Sequence, residues 1–215
     1  MSDQQAELEW RDGDIPVSQR FDDPYFSLQG GLDETRHVFL AGNDLPVRFA
    51  DGFRVAELGF GTGLNFLATL MAWRASGIGG RLHFTSFEAY PMAADDLARA
   101  LAPFAGLLPT HILTERSQAD DFALEVIAGD ARATLPAWDG RADAWYLDGF
   151  SPAKNPELWG ADLMQAVSDH TAKGGTAATY TAAGHVRRSL QLAGFSVERV
   201  AGFGLKRHMT RARLM

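Results

Sequence analysis

Residues 53–67 read FRVAELGFGTGLNFL, and the order of residue types in this stretch decides the fold. Phe53–Leu58 is a short apolar run rich enough in branched and aromatic residues to be a buried strand. Glycines at 59, 61 and 63 then remove side chains where the backbone must turn sharply and approach a neighbour or a ligand. From Asn65 to Ser76 the apolar residues fall at 66, 67, 70, 71 and 73, which is helical spacing. A strand, a glycine turn and a helix in that order form the opening unit of an open α/β sheet. Its turn lies at the carboxyl edge of the strands, where ligands bind in such folds. The first turn of the helix presents free N–H groups to that crevice.

The pattern repeats downstream. Strands are expected at Arg81–Phe87, Leu124–Ile127, Ala142–Leu147, Thr176–Tyr180, Ser196–Val200 and within Leu205–Leu214. Helices are expected at Ala93–Leu101, Ala131–Leu135, Ala161–Thr171 and His185–Ala193. This alternation predicts a Rossmann-like α/β fold, a mostly parallel seven-stranded sheet with helices on both faces, ending in an antiparallel pair. Residues 1–50 differ: polar and apolar residues alternate between turn signals. They are expected to form a small β-rich extension, with strands near Thr35–Leu40 and Leu45–Phe49, ahead of a second domain at 51–215.

The totals are compatible with this plan. The 215 residues are 46% apolar, enough for one sizeable core. There are no cysteines, which excludes disulfides, zinc–thiolate sites and Fe–S clusters. The N-terminus MSDQQAELEW is polar and acidic, unlike a signal peptide, and no apolar run is long enough to span a bilayer. A reducing cytoplasm is the natural compartment. The net charge of −7 conceals an asymmetry. From Lys173 onward there are eight Lys/Arg and one acid, a balance of +7, so residues 1–172 carry −14. A basic tail of this kind is either a solvated face or a surface for a polyanion.

The glycine loop reads G-x-G-x-G after Glu57, which departs from the G-x-G-x-x-G of dinucleotide cradles. It fits motif I of S-adenosylmethionine (SAM) methyltransferases, with Glu57, Gly59, Phe60, Gly61, Thr62, Gly63 and Asn65 as cofactor-side candidates. Two more acids follow strand ends. Glu88 is placed to accept from a ribose, and Asp130 lies on the adenine side. Each acid alone is also explained as a helix cap. Strand four ends at Asp148, before the stiff loop DGFSPAKNPELW. Asp148 with Phe150 reads as a loosened form of the polar-Pro-Pro-aromatic motif of amine methyltransferases. There a carboxylate orients the target nitrogen and takes its proton, and an aromatic ring stacks on the substrate. Asp148 as a mere cap of the next segment is the competing reading.

Longer runs carry a closer likeness: PVSQRFDDPYFS (16–27), GLDETRHVFLAGN (31–43), AELGFGTGLNFL (56–67), AWYLDGFSPAKNPELW (144–159), HVRRSLQLAGF (185–195) and GFGLKR (202–207). Together they resemble the methyltransferase domain of the MnmC family of bacterial tRNA wobble-uridine enzymes, whose stand-alone form is termed MnmD. The resemblance implies methyl transfer from SAM to the amine of 5-aminomethyl-(2-thio)uridine at the wobble position of tRNA. It implies Asp148 and Phe150 on the acceptor side, with Lys154 and Asn155 nearby. It also implies that Arg187, Arg188, Lys206, Arg207, Arg211 and Arg213 meet anticodon-arm phosphates, with Tyr25 and Phe26 as pocket or core residues. Fused members carry an FAD-dependent domain. This chain has no second glycine fingerprint, so neither FAD nor a metal is expected, and another enzyme would supply the aminomethyl substrate. Three other readings stand beside this one: a SAM-dependent methyltransferase of a small amine, a nicotinamide oxidoreductase, for which the dinucleotide spacing is missing, and a non-catalytic module of the same fold.

Overall fold

The computed structural model describes residues 5–11, 14–26 and 30–215; the start of the acidic N-terminus and Ser27 lie outside it. The extension opens with a three-stranded antiparallel sheet: β1 (Leu8–Arg11), β2 (Ile15–Ser18) and β3 (Asp23–Pro24). A short helix follows, α1 (Gly31–Thr35), continued by a π-helical turn at Arg36–Leu40 and a 3-10 turn at Ala41–Asn43. The strand expected at Thr35–Leu40 is therefore helical. Leu32, Thr35, Val38 and Phe39 are buried along it, which is helical spacing along one side. The strand expected at Leu45–Phe49 is a run of turns, with Arg48 N–H donating to Asp44 O and Phe49 N–H to Pro46 O. Packing of these apolar residues on the main core, rather than alternation, sets their conformation.

The main unit follows the sequence more closely. In chain order it contains β4 (Arg54–Leu58), α2 (Leu64–Ser76), β5 (Leu82–Glu88), α3 (Ala94–Leu101), β6 (Arg116–Gln118) and β7 (Phe122–Ala128). These are followed by α4 (Ala131–Thr134), β8 (Ala142–Leu147), α5 (Ala161–Asp169), β9 (Thr171–Thr179), α6 (Gly184–Leu192), β10 (Phe195–Ala201) and β11 (His208–Leu214). The sheet has eight strands, in the order β10-β11-β9-β8-β4-β5-β7-β6, one more than the seven expected. The extra strand, β6, pairs antiparallel with β7 at the edge. Its three polar residues carry no apolar alternation, which is why the sequence hides it. β9, β8, β4, β5 and β7 are parallel, while β10 and β11 form the expected antiparallel pair.

Both faces of the sheet are covered. One core cluster joins α2, including Phe66, Leu67, Leu70 and Trp73, to Leu32, Val38, Phe39 and Phe49 of the preceding segment. The other joins Trp145, Leu147 and Leu58 to Leu163, Met164 and Val167 of α5 and Val186 and Leu190 of α6. β8 is buried along nearly its whole length, as a central parallel strand must be. The chain runs from β4 to β5 and β7 on one side, then returns to β8 and β9 on the other. That reversal opens a crevice at the carboxyl ends of β4 and β8. No described helix is long and apolar enough to cross a membrane.

Candidate functional site

Ladder hydrogen bonds continue past the strand ends and line up the turns that follow them. Gly59 N–H donates to Phe87 O (2.9 Å), Asp148 N–H to Leu58 O (3.1 Å) and Gly129 N–H to Glu88 O (2.8 Å). Above this row lies a cleft of about 800 Å³. Gly59, Phe60, Gly61 and Thr62 form its floor, with Glu88, Asp130, Asp148, Phe150 and Asn155 around it. The glycine turn is shaped for close approach. Gly59 has φ +86°, and a Cβ there would come within 2.5 Å of Asp148 O. Gly61 has φ +53°, and Tyr25 of the extension packs over it. Gly63 serves packing instead: a Cβ there would meet Phe60 and Leu113.

The acids divide into three environments. Glu88 is buried at 8% exposure and lines the cleft. Its Oε2 accepts from Gly61 N–H (2.9 Å) and its Oε1 from Tyr90 N–H (2.8 Å). Burial raises its pKa, against those N–H donors. Asp130 caps α4, is exposed and is paired with Arg132 at 2.5 Å, which holds its pKa below the usual carboxylate value. It sits at the rim of the cleft rather than deep within it.

Glu57 differs from the expectation. Its side chain is fully buried and does not line the cleft. Oε1 accepts from Asn65 Nδ2 (2.9 Å) and Oε2 from Ser86 Oγ (2.7 Å). Burial raises its pKa well above the ordinary value. Asn65 is likewise committed within the protein. Its Nδ2 also donates to Asp148 Oδ2 (2.8 Å), and its Oδ1 accepts from Thr35 Oγ1 (2.8 Å). Asn65 also lines the cleft, and with Glu57 behind it forms a hydrogen-bonded layer that orients Asp148.

Asp148 itself is half-buried at the end of β8 and faces the cleft. Its Oδ1 accepts from Gly149 N–H (3.0 Å). Burial pushes its pKa up to about 6, against the Asn65 hydrogen bond and the positive charge of Lys206. A carboxyl group with that value exchanges a proton close to neutral pH.

The loop after Asp148 is clamped to the extension, which the sequence did not reveal. Ser151 N–H donates to Asp23 Oδ2 (2.8 Å), and Lys154 Nζ donates to Asp22 O and lies 3.6 Å from Asp23 Oδ1. Phe150 stacks on Phe21, with centroids 4.7 Å apart, and meets Tyr25 edge-on at 5.0 Å. Trp159 Nε1 donates to Phe150 O (2.9 Å) from inside the core. Phe150, expected as a stacking platform, stands in an aromatic wall with Phe21 and Tyr25, and Lys154 is tied within the protein. Asn155 is buried at 8% and lines the cleft. Tyr25 and Phe26 both line it as well. Tyr180 at the end of β9 and Glu34 on α1 were missed. Tyr180 could have been found by its place at a strand end. Glu34 was hidden by the misread strand.

The basic residues do not act as one group. Lys206 lines the cleft, whereas Arg187, Arg188 and Arg207 lie outside it. Arg188 and Arg207 are exposed and make no ion pair among the described residues. Arg187 is half-buried, with its Nε enclosed and without a hydrogen-bond partner among the described residues. Arg211 pairs with Glu198 (2.9 Å) and Arg213 with Asp44 (3.1 Å).

The glycine floor and the buried carboxylate of Glu88 beside it are groups of the kind a nucleoside cofactor requires. The profile of a family described as S-adenosyl-L-methionine-dependent methyltransferase matches residues 97–215. The tRNA 5-methylaminomethyl-2-thiouridine biosynthesis bifunctional protein MnmC of Caulobacter sp. (strain K31) is 46% identical over 234 aligned positions, taking in 99% of this chain and 39% of that protein. The protein of the same name from Pseudomonas aeruginosa (strain PAO1) is 45% identical, over 97% of this chain and 35% of its own length. The chain thus spans well under half the length of these relatives. The crystal structure of MNMC2 from Aquifex aeolicus superposes with a TM-score of 0.74 at 26% identity, over 100% of this chain and 71% of that one.

Proposed function

The chain belongs to the S-adenosyl-L-methionine-dependent methyltransferases, and on that premise we propose that it methylates the amine of 5-aminomethyl-(2-thio)uridine at the wobble position of tRNA, giving 5-methylaminomethyl-(2-thio)uridine. The observation that carries this reading is Asp148: a cleft-facing carboxyl beside the glycine floor, with a pKa of about 6. The names of the relatives support the tRNA substrate.

SAM, when bound, would supply a methyl group from its sulfonium sulfur to a nitrogen lone pair in line with the C–S bond, the sulfur leaving as the thioether of S-adenosylhomocysteine. Gly59, Phe60, Gly61 and Thr62 would hold its methionine side, Glu88 would accept from the ribose hydroxyls, and Asp130 would meet the adenine edge. Glu57 acts behind this surface through Asn65, which lines the cleft and bonds Asp148 directly. An alkylamine is mostly protonated at neutral pH, with an ordinary pKa of about 10, and an ammonium has no lone pair to donate. Asp148 in its ionised form attracts that ammonium, accepts its proton and leaves the nitrogen neutral and oriented. Phe150, Phe21 and Tyr25 form the wall against which an unstacked uracil ring lies, as single-stranded RNA bases lie on aromatic side chains. Arg188 and Arg207 supply phosphate contacts outside the cleft.

The test is incubation with tRNA lacking only this methyl group, with SAM, at a series of salt concentrations. The expected product is the methylated wobble nucleoside by mass spectrometry, at a rate that falls with salt. A rate indifferent to salt, with a free small amine serving equally well, would overturn the tRNA substrate in favour of a small-amine methyltransferase.

A further inference from the structure

One wall of the cleft is closed by residues that are distant in sequence. Lys206, in the turn between β10 and β11, places Nζ 2.7 Å from Oε1 of Glu34 on α1 and 4.0 Å from the ring centroid of Tyr180. Tyr180 in turn donates its hydroxyl to Gly149 O (2.7 Å), the peptide that follows Asp148. Glu34 is 13% exposed in this pair. Of the C-terminal cations, Lys206 is the one that lines the cleft. It is also the one whose charge acts on Asp148.

Building on the proposed amine methylation, we infer that Lys206 is a positioning residue for the reaction: through its contacts with Glu34 and Tyr180 it keeps the Asp148 carboxyl charged and fixed against the acceptor amine, instead of binding RNA phosphate. Asp148 needs such a partner. Burial and the charge of Glu34 disfavour its ionised form, and Glu57 behind it is a second acid sharing Asn65. Tyr180 is half-buried, and desolvation pushes its pKa up, so it stays neutral and offers no compensating charge. The favourable contributions are the N–H groups of Asn65 and Gly149 and the ammonium of Lys206. Cation–π contact with Tyr180 holds that ammonium in place without neutralising it.

Two variants that break the same ion pair have opposite electrostatic effects on Asp148, and this separates the inference from a purely structural latch. Lys206→Met removes a positive charge and raises the Asp148 pKa. The acid limb of the pH–rate profile should move up by about one unit, with kcat falling about twofold at pH 7 and about tenfold at pH 5, and KM for tRNA little changed. Glu34→Gln removes a negative charge and should move the limb down. Lys206→Arg should keep the wild-type limb. Carbon-13 titration of the Asp148 carboxyl in the protein alone should show the same signs with no substrate present, so it decides the matter even where the wild type fails to methylate tRNA. That failure would count against the substrate assignment alone. Shifts of one sign in both variants would overturn the inference. So would a Lys206→Met variant that raises only the KM for tRNA while the carboxyl titration stays unmoved.

Discussion

At the scale of single residues, the site is a problem of carboxyl protonation. Three acids stand at or near three strand ends, and their surroundings drive them apart. Arg132 lowers the pKa of Asp130, complete burial pushes Glu57 well up, and burial pushes Asp148 up to about 6. Turnover should therefore decline as the pH falls through about 6 while SAM binding persists, which a pH–rate profile beside calorimetry at each pH would check. Asp148→Asn keeps the shape and the contact with Gly149, but it cannot take a proton. Turnover should drop by about two to four orders of magnitude, with SAM affinity within a few-fold of wild type. The same variant should make the fold more stable near neutral pH. A carboxyl whose pKa is raised on folding favours the folded state below its unfolded value of 3.8, and that advantage is lost as the pH rises through about 6. Asparagine escapes this loss but sets an N–H against Asn65 Nδ2, so its net gain, on the order of 1 kcal/mol at pH 7, should turn into a net loss below about pH 4 in denaturation series. Gly59→Ala tests the floor. A Cβ at φ +86°, 2.5 Å from Asp148 O, should destabilise the fold by about 1–3 kcal/mol and reduce SAM binding together with it.

At the scale of elements, the loop that follows β8 is stiff because of what grips it. Asp23 accepts from Ser151 N–H, Lys154 reaches back to Asp22 and Asp23, and Phe150 is sandwiched in the aromatic wall. Asp23→Ala removes the acceptor from a part-buried N–H. The Ser151 amide should then exchange with solvent markedly faster, and stability should fall by about 1 kcal/mol. Unchanged exchange would show that the loop holds itself. This is also where the sequence was least legible. β4, β5, β8 and the glycine turn could be read because a parallel strand buried on both faces is a continuous apolar run, and a turn without side chains is a run of glycines. The stretch from Thr35 to Phe49 was misread because its conformation follows from burying Val38, Phe39 and Phe49 against α2 and the sheet, a tertiary cause that no local alternation records. β6 escaped because an exposed three-residue edge strand needs only backbone pairing. Glu57 was found as a residue but not as a buried support for Asn65 and Asp148, because the side of a strand end that faces the cleft is set by the neighbouring strands.

At the scale of the whole molecule, charge is separated between the cleft and the surface beyond it. The first 172 residues carry the acids, and the C-terminal part carries an excess of seven positive charges, visible in the sequence. Once folded, that excess is not uniformly available. Arg211 and Arg213 are paired to Glu198 and Asp44, and Lys206 is turned into the cleft against Glu34. A cation already paired with a carboxylate gains little from a phosphate, since its counter-ion is part of the protein. Arg188 and Arg207 have no such partner among the described residues, and both are exposed. Removing either cation should therefore flatten the dependence of log affinity on log salt by about one unit. Arg188→Glu combined with Arg207→Glu should weaken tRNA binding at low salt by at least about tenfold, reduce the salt slope by about two, and leave SAM binding alone. Arg211→Ala combined with Arg213→Ala should change the slope by much less, although it removes the same number of positive charges. Equal slopes for the two double variants, measured by filter binding across a salt series, would mean that tRNA responds to the net charge of the basic C-terminal segment and not to the cations that folding leaves free.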